Sequence, residues 1–233
     1  MSRNVVLPLF GRDVPTDALA GSSTSVRVSV WSDYVCPFCY LELPVLDELQ
    51  RRLGDALTIE WRAFELRPDP VPTLNPNGEY LHRVWNASVY PMAEARGITL
   101  RLPPVQPRSR KALETVEFAR AQGKFDAMHR GLFRAFFEHG RDLDDLGTLQ
   151  DIAVSVGLDG EGLEGALRDG RYDAKVAGDQ VLARRLGVSG VPAMLIEAKD
   201  RSHLLSGAQP VEAIIAAVAA MLVNIEPSNS PNR

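Results

Sequence analysis

Cys36-Pro37-Phe38-Cys39 is the stretch that decides the fold of this chain. The 233 residues hold 2 cysteines, and they stand three positions apart. Chance gives a random pair that spacing about once in a hundred, so it calls for a chemical cause. Upstream, Val26, Val28 and Val30 alternate as in a strand. Downstream, Leu41, Val45, Leu46, Leu49 and Leu53 recur at helical spacing. The motif therefore sits where a strand hands over to the first turn of a helix. The unpaired N–H groups and the dipole at such a place favour an anion, here the thiolate of Cys36. Pro37 suits the first helical position, where no N–H is needed. Cys36 is expected to be exposed and attacking, with Cys39 one turn further in, placed to attack Cys36 in its turn.

Composition narrows the chemistry open to this pair. With 45% apolar and 24% charged residues the chain has the balance of an ordinary globular protein. A net charge of −4 and the lack of a long basic stripe argue against a nucleic-acid partner. No apolar run approaches the roughly 20 residues of a spanning helix, so no membrane partner is expected. The apolar start Val5-Val6-Leu7 is interrupted by Pro8 and followed by Arg12-Asp13, too short and broken for a secretory leader. The expected compartment is the cytoplasm, where a CxxC is more often catalytic, redox-sensing or metal-binding than a structural staple. Zinc needs about four ligands. His82, His129, His139 and His203 are not paired at ligand spacing, so no metal is expected.

Along the chain, residues 1–24 read as a flexible polar lead-in, 26–31 as a strand, 36–53 as a helix bent at Pro44 and closed by Gly54, and 58–64 as a second strand. A right-handed βαβ unit follows from that order. Pro68, Pro70, Pro72 and Pro76 mark a linker, and from about 79 to 186 the reading is almost wholly helical. Helices are expected near 79–96, from a Ser109 cap to Gln122, along the stripe Phe125, Met128, Leu132, Phe133, Phe136, Phe137, around Leu149 to Val156, and from Tyr172 to Leu186. Strands return at 193–197 and 202–206, followed by a helix from Pro210 to about Val223 and a Pro/Ser/Asn-rich tail at 226–233 read as disordered. The expected architecture is α/β: a discontinuous domain of residues 25–66 and 187–225 (βαβ plus ββα) with a helical domain of 67–186 inserted.

A second feature lies far from the cysteines. Gly187-Val188-Ser189-Gly190-Val191-Pro192-Ala193 places two glycines and a Val-Pro step directly before a strand. An ordinary turn and a special cis proline both remain open on these residues alone. Together with the CxxC it resembles the thioredoxin superfamily, and the helical insertion resembles the DsbA-like oxidoreductases. Within these, Ser32 to Leu41, Glu60 to Leu66 and Gly187 to Pro192 are similar to the FrnE-like branch, over about residues 25–222. The resemblance implies Cys36 as nucleophile, Cys39 as resolving thiol, and Val191-Pro192 as a cis-proline loop whose backbone pairs with substrate. Pro37 and Phe38 would line the same binding surface. It further implies a disulfide- or thiol-bearing protein or small molecule as partner, glutathione as a candidate co-substrate, no resident cofactor, and a monomer or homodimer.

Two departures from the pattern stand out. Val30 occupies the place, six residues before the first cysteine, where thioredoxins and DsbA carry a buried acid. Asp33 is nearer but falls in a loop, which leaves the proton acceptor of Cys39 unassigned. Phe38 stands where DsbA has histidine, so the disulfide is expected to be less oxidising. Gly160-Glu161-Gly162-Leu163-Glu164-Gly165 is a literal GxGxxG without the preceding strand that dinucleotide binding requires. Asp142 to Gly147 reads as a helix-capping loop and not an EF-hand. Arg108, Arg110 and Lys111 read as a solvated face or as a contact for an acidic substrate. The rival readings are a glutathione-dependent isomerase of the 2-hydroxychromene-2-carboxylate type, which usually carries serine at the Cys36 place, and a chaperone-like module whose cysteines sense oxidation.

Overall fold

The computed structural model describes residues 25–222; the expected lead-in at 1–24 and tail at 226–233 lie outside them. β1 (Val26–Ser32) is central in the sheet and buried along nearly its whole length, as its run of valines with Trp31 requires. It passes into α1 (Pro37–Leu53), whose partner strand β2 (Leu57–Ala63) returns parallel to β1 in the register Val26 to Leu57. The second half adds β3 (Ala193–Ala198), antiparallel to β1, and β4 (Arg201–Ser206), antiparallel to β3. The order across the sheet is β2-β1-β3-β4. Lys199, at φ 56, makes the tight turn of the closing hairpin.

Helices cover both faces. Val26, Val28 and Val30 pack with Val45, Leu46 and Leu49 of α1 and with Ile214 and Val218 of α9 (Val211–Leu222). Trp31 faces the other way, into a cluster with Phe64 and Ala183, and its indole N–H donates to the Asp179 carbonyl at 3.1 Å. Asp179 belongs to α8 (Asp173–Arg185); its carboxylate also accepts from Ala63 N–H and from Arg62, both at 3.1 Å. α8 thereby covers the edge strand β2, which would otherwise offer unpaired backbone.

Between β2 and β3 the chain leaves the sheet. It forms α2 (Glu79–Val84), a π-helical turn (Trp85–Val89), α3 (Tyr90–Ala95), α4 (Arg110–Arg120), α5 (Phe125–Phe137), α6 (Leu146–Ser155) and α7 (Gly160–Arg168), and then α8. Phe133, Phe136 and Phe137 are fully buried, so the aromatic stripe is core. The expected helix over 79–96 is broken by the π turn, an extra residue per turn that periodicity averages away. The GxGxxG segment is α7, capped by the Asp159 side chain on Glu161 N–H; three glycines hide its helical pattern. Asp145 caps α6 on Thr148 N–H at 2.8 Å, in keeping with a capping loop. Ser109 stands at the N-cap of α4 but makes no side-chain cap, which corrects the expected role. No helix among the described residues is long and apolar enough to cross a membrane.

Candidate active site

Cys36 is the N-cap residue of α1, in extended conformation, and Pro37 follows in the first helical turn as expected. Its N–H donates to the Asp33 carbonyl at 3.1 Å, and its own carbonyl accepts from Cys39 N–H at 3.1 Å and Tyr40 N–H at 3.3 Å. Both thiols are free, and Cys36 lies close enough to Cys39 to bear on its ionisation. The expectation of an exposed Cys36 is corrected: it is only 5% exposed, and Cys39 is fully buried. The cause lies outside the motif, because Leu81, Val84, Trp85 and Phe137 wall the helix mouth. Burial, and then the neighbouring Cys36, push the Cys39 thiol well above its ordinary value; the Asp33 backbone N–H and the Ser32 hydroxyl work against them.

The distant loop arrives at the same place. The Val191–Pro192 peptide is cis. The Cys36 thiol donates to the Val191 carbonyl at 3.4 Å, and Pro192 is anchored by Gly207 N–H on its carbonyl at 2.8 Å. Pro37 and Phe38 are half-buried beside this contact. They share a cleft of about 190 Å³ with Val35, Cys36, Leu66, Leu74, Tyr80 and the aromatic wall. Its polar fringe is Arg67, Thr73, Gln106, Arg108 and Ser109. An apolar pocket with a few convergent polar groups and a nucleophile on its wall is the usual form of a small-ligand site.

The basic trio is not a free solvated face. Arg108 reaches the carbonyls of Arg67 and Val71 and pairs with Asp69; Arg110 pairs with buried Glu65 at 3.1 Å; Lys111 pairs with Asp144 at 2.9 Å. Only Arg108 of the three touches the cleft. The four histidines do not converge, and no cluster of His, Cys, Asp and Glu among the described residues could hold a metal.

Sequence reasoning missed three buried polar groups around the dithiol. Asp33 is fully buried, and desolvation raises its carboxyl to about 6 against the hydrogen bonds that favour its charge. His129 accepts or donates at Nδ1 to the Tyr34 hydroxyl, 2.7 Å away, inside a cage of Trp61, Phe125 and Phe133. Burial holds it neutral, down to about 3. Glu42 is fully buried on α1 against Arg96 at 2.9 Å. The available signal was position: Asp33 and Tyr34 lie directly before the dithiol, and Glu42 interrupts the apolar face of α1.

Comparison with known proteins joins these pieces. The description DSBA-like thioredoxin domain matches residues 27–219. The Bacillus subtilis protein YwbO is 36% identical over 151 residues, 64% of this chain and 74% of its own length. A probable DsbA oxidoreductase from Streptomyces coelicolor superposes with a TM-score of 0.72 at 25% identity, covering 89% of this chain and 94% of that one. The cytosolic disulfide reductase DsbM from Pseudomonas aeruginosa, solved with GSH, shares the fold at 21% identity and TM-score 0.63, over 83% and 99% of the two chains. The family match runs through the dithiol, the helical segment and the cis-proline loop alike, so the chain belongs to the DSBA-like thioredoxin domain family of oxidoreductases.

Proposed function

We propose that this chain is a thiol–disulfide oxidoreductase that works through the Cys36–Cys39 pair. The observation that carries the reading is the meeting of three parts: the Cys36 sulfur at the mouth of α1, Cys39 directly behind it, and the Val191 carbonyl 3.4 Å away. Cys36, as thiolate, attacks one sulfur of a substrate disulfide; that bond breaks and the other substrate sulfur leaves with the electron pair. Cys39 gives up its proton and attacks Cys36, which forms the Cys36–Cys39 disulfide and releases the second substrate thiol. Substrate is reduced by two electrons and the dithiol oxidised; the reverse sequence oxidises a substrate dithiol. Val191 and Pro192, with Pro37 and Phe38, form the surface that receives the substrate, be it a protein or a small disulfide.

Glutathione is the proposed co-substrate that recycles the pair. A relative of this fold solved with GSH supports that choice, as does a cleft with Arg67 and Arg108 on its fringe. A cytoplasmic site of action and a place in the FrnE-like branch belong to the same proposal, supported by the CPFC motif with Tyr40-Leu41 after it.

The test is insulin reduction by dithiothreitol, followed as turbidity, with the intact protein, Cys36→Ser and Cys39→Ser. The intact protein is expected to speed reduction, Cys36→Ser to abolish the gain, and Cys39→Ser to trap a mixed disulfide visible as added mass. No acceleration by the intact protein, or acceleration that survives Cys36→Ser, refutes the assignment. Isomerase activity on 2-hydroxychromene-2-carboxylate that survives Cys39→Ser would favour the rival class.

A further inference from the structure

Asp33 lies three residues before Cys36, where β1 runs out, and one carboxylate there holds three pieces of chain. Oδ1 accepts from Val35 N–H at 3.3 Å and Oδ2 from Leu66 N–H at 2.7 Å, and the Ser109 hydroxyl beside them favours the same charge. Its backbone carbonyl meanwhile accepts from Cys36 N–H. Val35 belongs to the dithiol turn, Leu66 to the segment after β2, and Ser109 to the start of α4. All three line the cleft that opens on Cys36. A plain turn-forming aspartate would explain only the Val35 contact, and it would not need burial. The bonds to residues 33 and 76 positions away in sequence are what set this one apart.

We propose that Asp33 is a positioning residue that fixes the walls of the substrate cleft over Cys36, and that its carboxylate form is the one that holds them in place. The inference rests on the oxidoreductase reading above. An ionised carboxylate accepts from all three donors. A protonated one carries a hydrogen of its own on one oxygen, and that hydrogen conflicts with one of the three. The two backbone N–H groups cannot accept it, and a Ser109 hydroxyl that turns to accept it exchanges a charge-assisted bond for a weaker neutral one. Loss or reversal of one contact lets a wall of the cleft shift, while the dithiol stays in its helix.

Desolvation places the titration of Asp33 near 6, so the change falls in an accessible range. The ionisable groups around it are Glu65 after β2, Arg110 of α4 paired with Glu65, Tyr34 in the turn, and the two thiols. Any of the thiols would alter the chemistry itself, and Glu65 could mimic the effect, so the experiment separates them.

The rate at which bis(2-hydroxyethyl) disulfide oxidises the reduced protein is measured from pH 5 to 7.5 and divided by the rate of Cys36 alkylation by iodoacetamide. Thiolate content acts on both rates and cancels in the ratio; the shape of the cleft does not. The ratio is expected to fall about fivefold towards pH 5, the worth of one ordinary hydrogen bond. It should be flat in Asp33→Asn, reduced in its fall in Ser109→Ala, and unchanged from the parent in Glu65→Gln. A flat ratio in the parent, or a fall that persists in Asp33→Asn, overturns the proposal. If Asp33→Asn does not fold, an undiminished fall in Ser109→Ala does so. Failure of the oxidoreductase reading would look different, as oxidation that does not depend on Cys36 at any pH.

Discussion

Replacing Arg96 with methionine should uncouple the active-site helix from both segments that flank it. Arg96 follows α3; its Nη1 donates to the Leu41 carbonyl at 2.6 Å and to Glu42 at 2.9 Å, and its Nη2 to the Gln209 carbonyl at 3.0 Å. Glu42 is fully buried and, among the described residues, otherwise accepts only Gln209 N–H, at 3.1 and 3.3 Å. Without the guanidinium, α1 keeps a buried carboxylate with a single backbone partner. Removing one member of a buried pair costs about 3–5 kcal/mol, because the other charge is left uncompensated.

The pH dependence carries the argument further. Desolvation already raises the Glu42 carboxyl, and Arg96 is the main group opposing that rise. In Arg96→Met it must rise further. A carboxyl raised on folding gives stability that is whole below its unfolded value and lost as pH climbs through its folded one. The variant should therefore lose more at pH 7.5 than at pH 5. Urea unfolding followed by circular dichroism at both pH values measures this, and Glu42→Gln/Arg96→Met should recover at least half of the loss. A loss below about 1 kcal/mol at pH 7.5, an equal loss at both pH values, or a double variant equal to the sum of the singles would refute the reasoning.

His129 should act in the opposite sense. It is held neutral down to about 3, so the unfolded chain takes the proton first and stability falls by about 1.4 kcal/mol per pH unit below about 6.5; Tyr34→Phe/His129→Phe should remove that slope, and the His129 imidazole signals of the parent should not titrate above pH 5 by NMR. Phe136→Ala, at a fully buried ring 4.8 Å from Phe137, should cost about 3–5 kcal/mol in thermal or chemical unfolding while leaving the cysteine pair titratable by thiol reagents. With Phe38 where DsbA carries histidine, equilibration against glutathione should place the potential below the roughly −120 mV of DsbA; a value at or above it would show that another group takes the histidine's role.

The dithiol, its strand-to-helix address and the return of Val191-Pro192 were legible because each is carried by backbone pattern: alternation, helical spacing, glycine and proline. What escaped was the surroundings. Cys36 reads as exposed because a helix N-terminus usually is; its burial comes from Trp85 and Phe137, about 50 and 100 residues away, which no local window can bring near. Asp33 reads as a loop residue, and Glu42 and Glu65 draw no burial reading of their own, because charged residues usually face water. They are buried because backbone N–H groups, Arg96 and Arg110 meet them there, and each of these comes from a different element. The missing helix α7 and the π turn fell to composition and averaging, since glycines and an irregular turn blur a 3.6-residue period.

The excursion between β2 and β3 also governs how the molecule comes together. β3 returns to pair with β1, so the central sheet cannot close until the roughly 130 residues between β2 and β3 have been drawn in. For a featureless loop of that length the closure penalty is about 4 kcal/mol, to be met before the first β1–β3 hydrogen bond is made. The helices between the strands make short-range contacts that need no sheet, so their early collapse shortens the span the strands must bridge. The Val191–Pro192 loop leads straight into β3, so it is brought to Cys36 by the same β1–β3 pairing that closes the sheet.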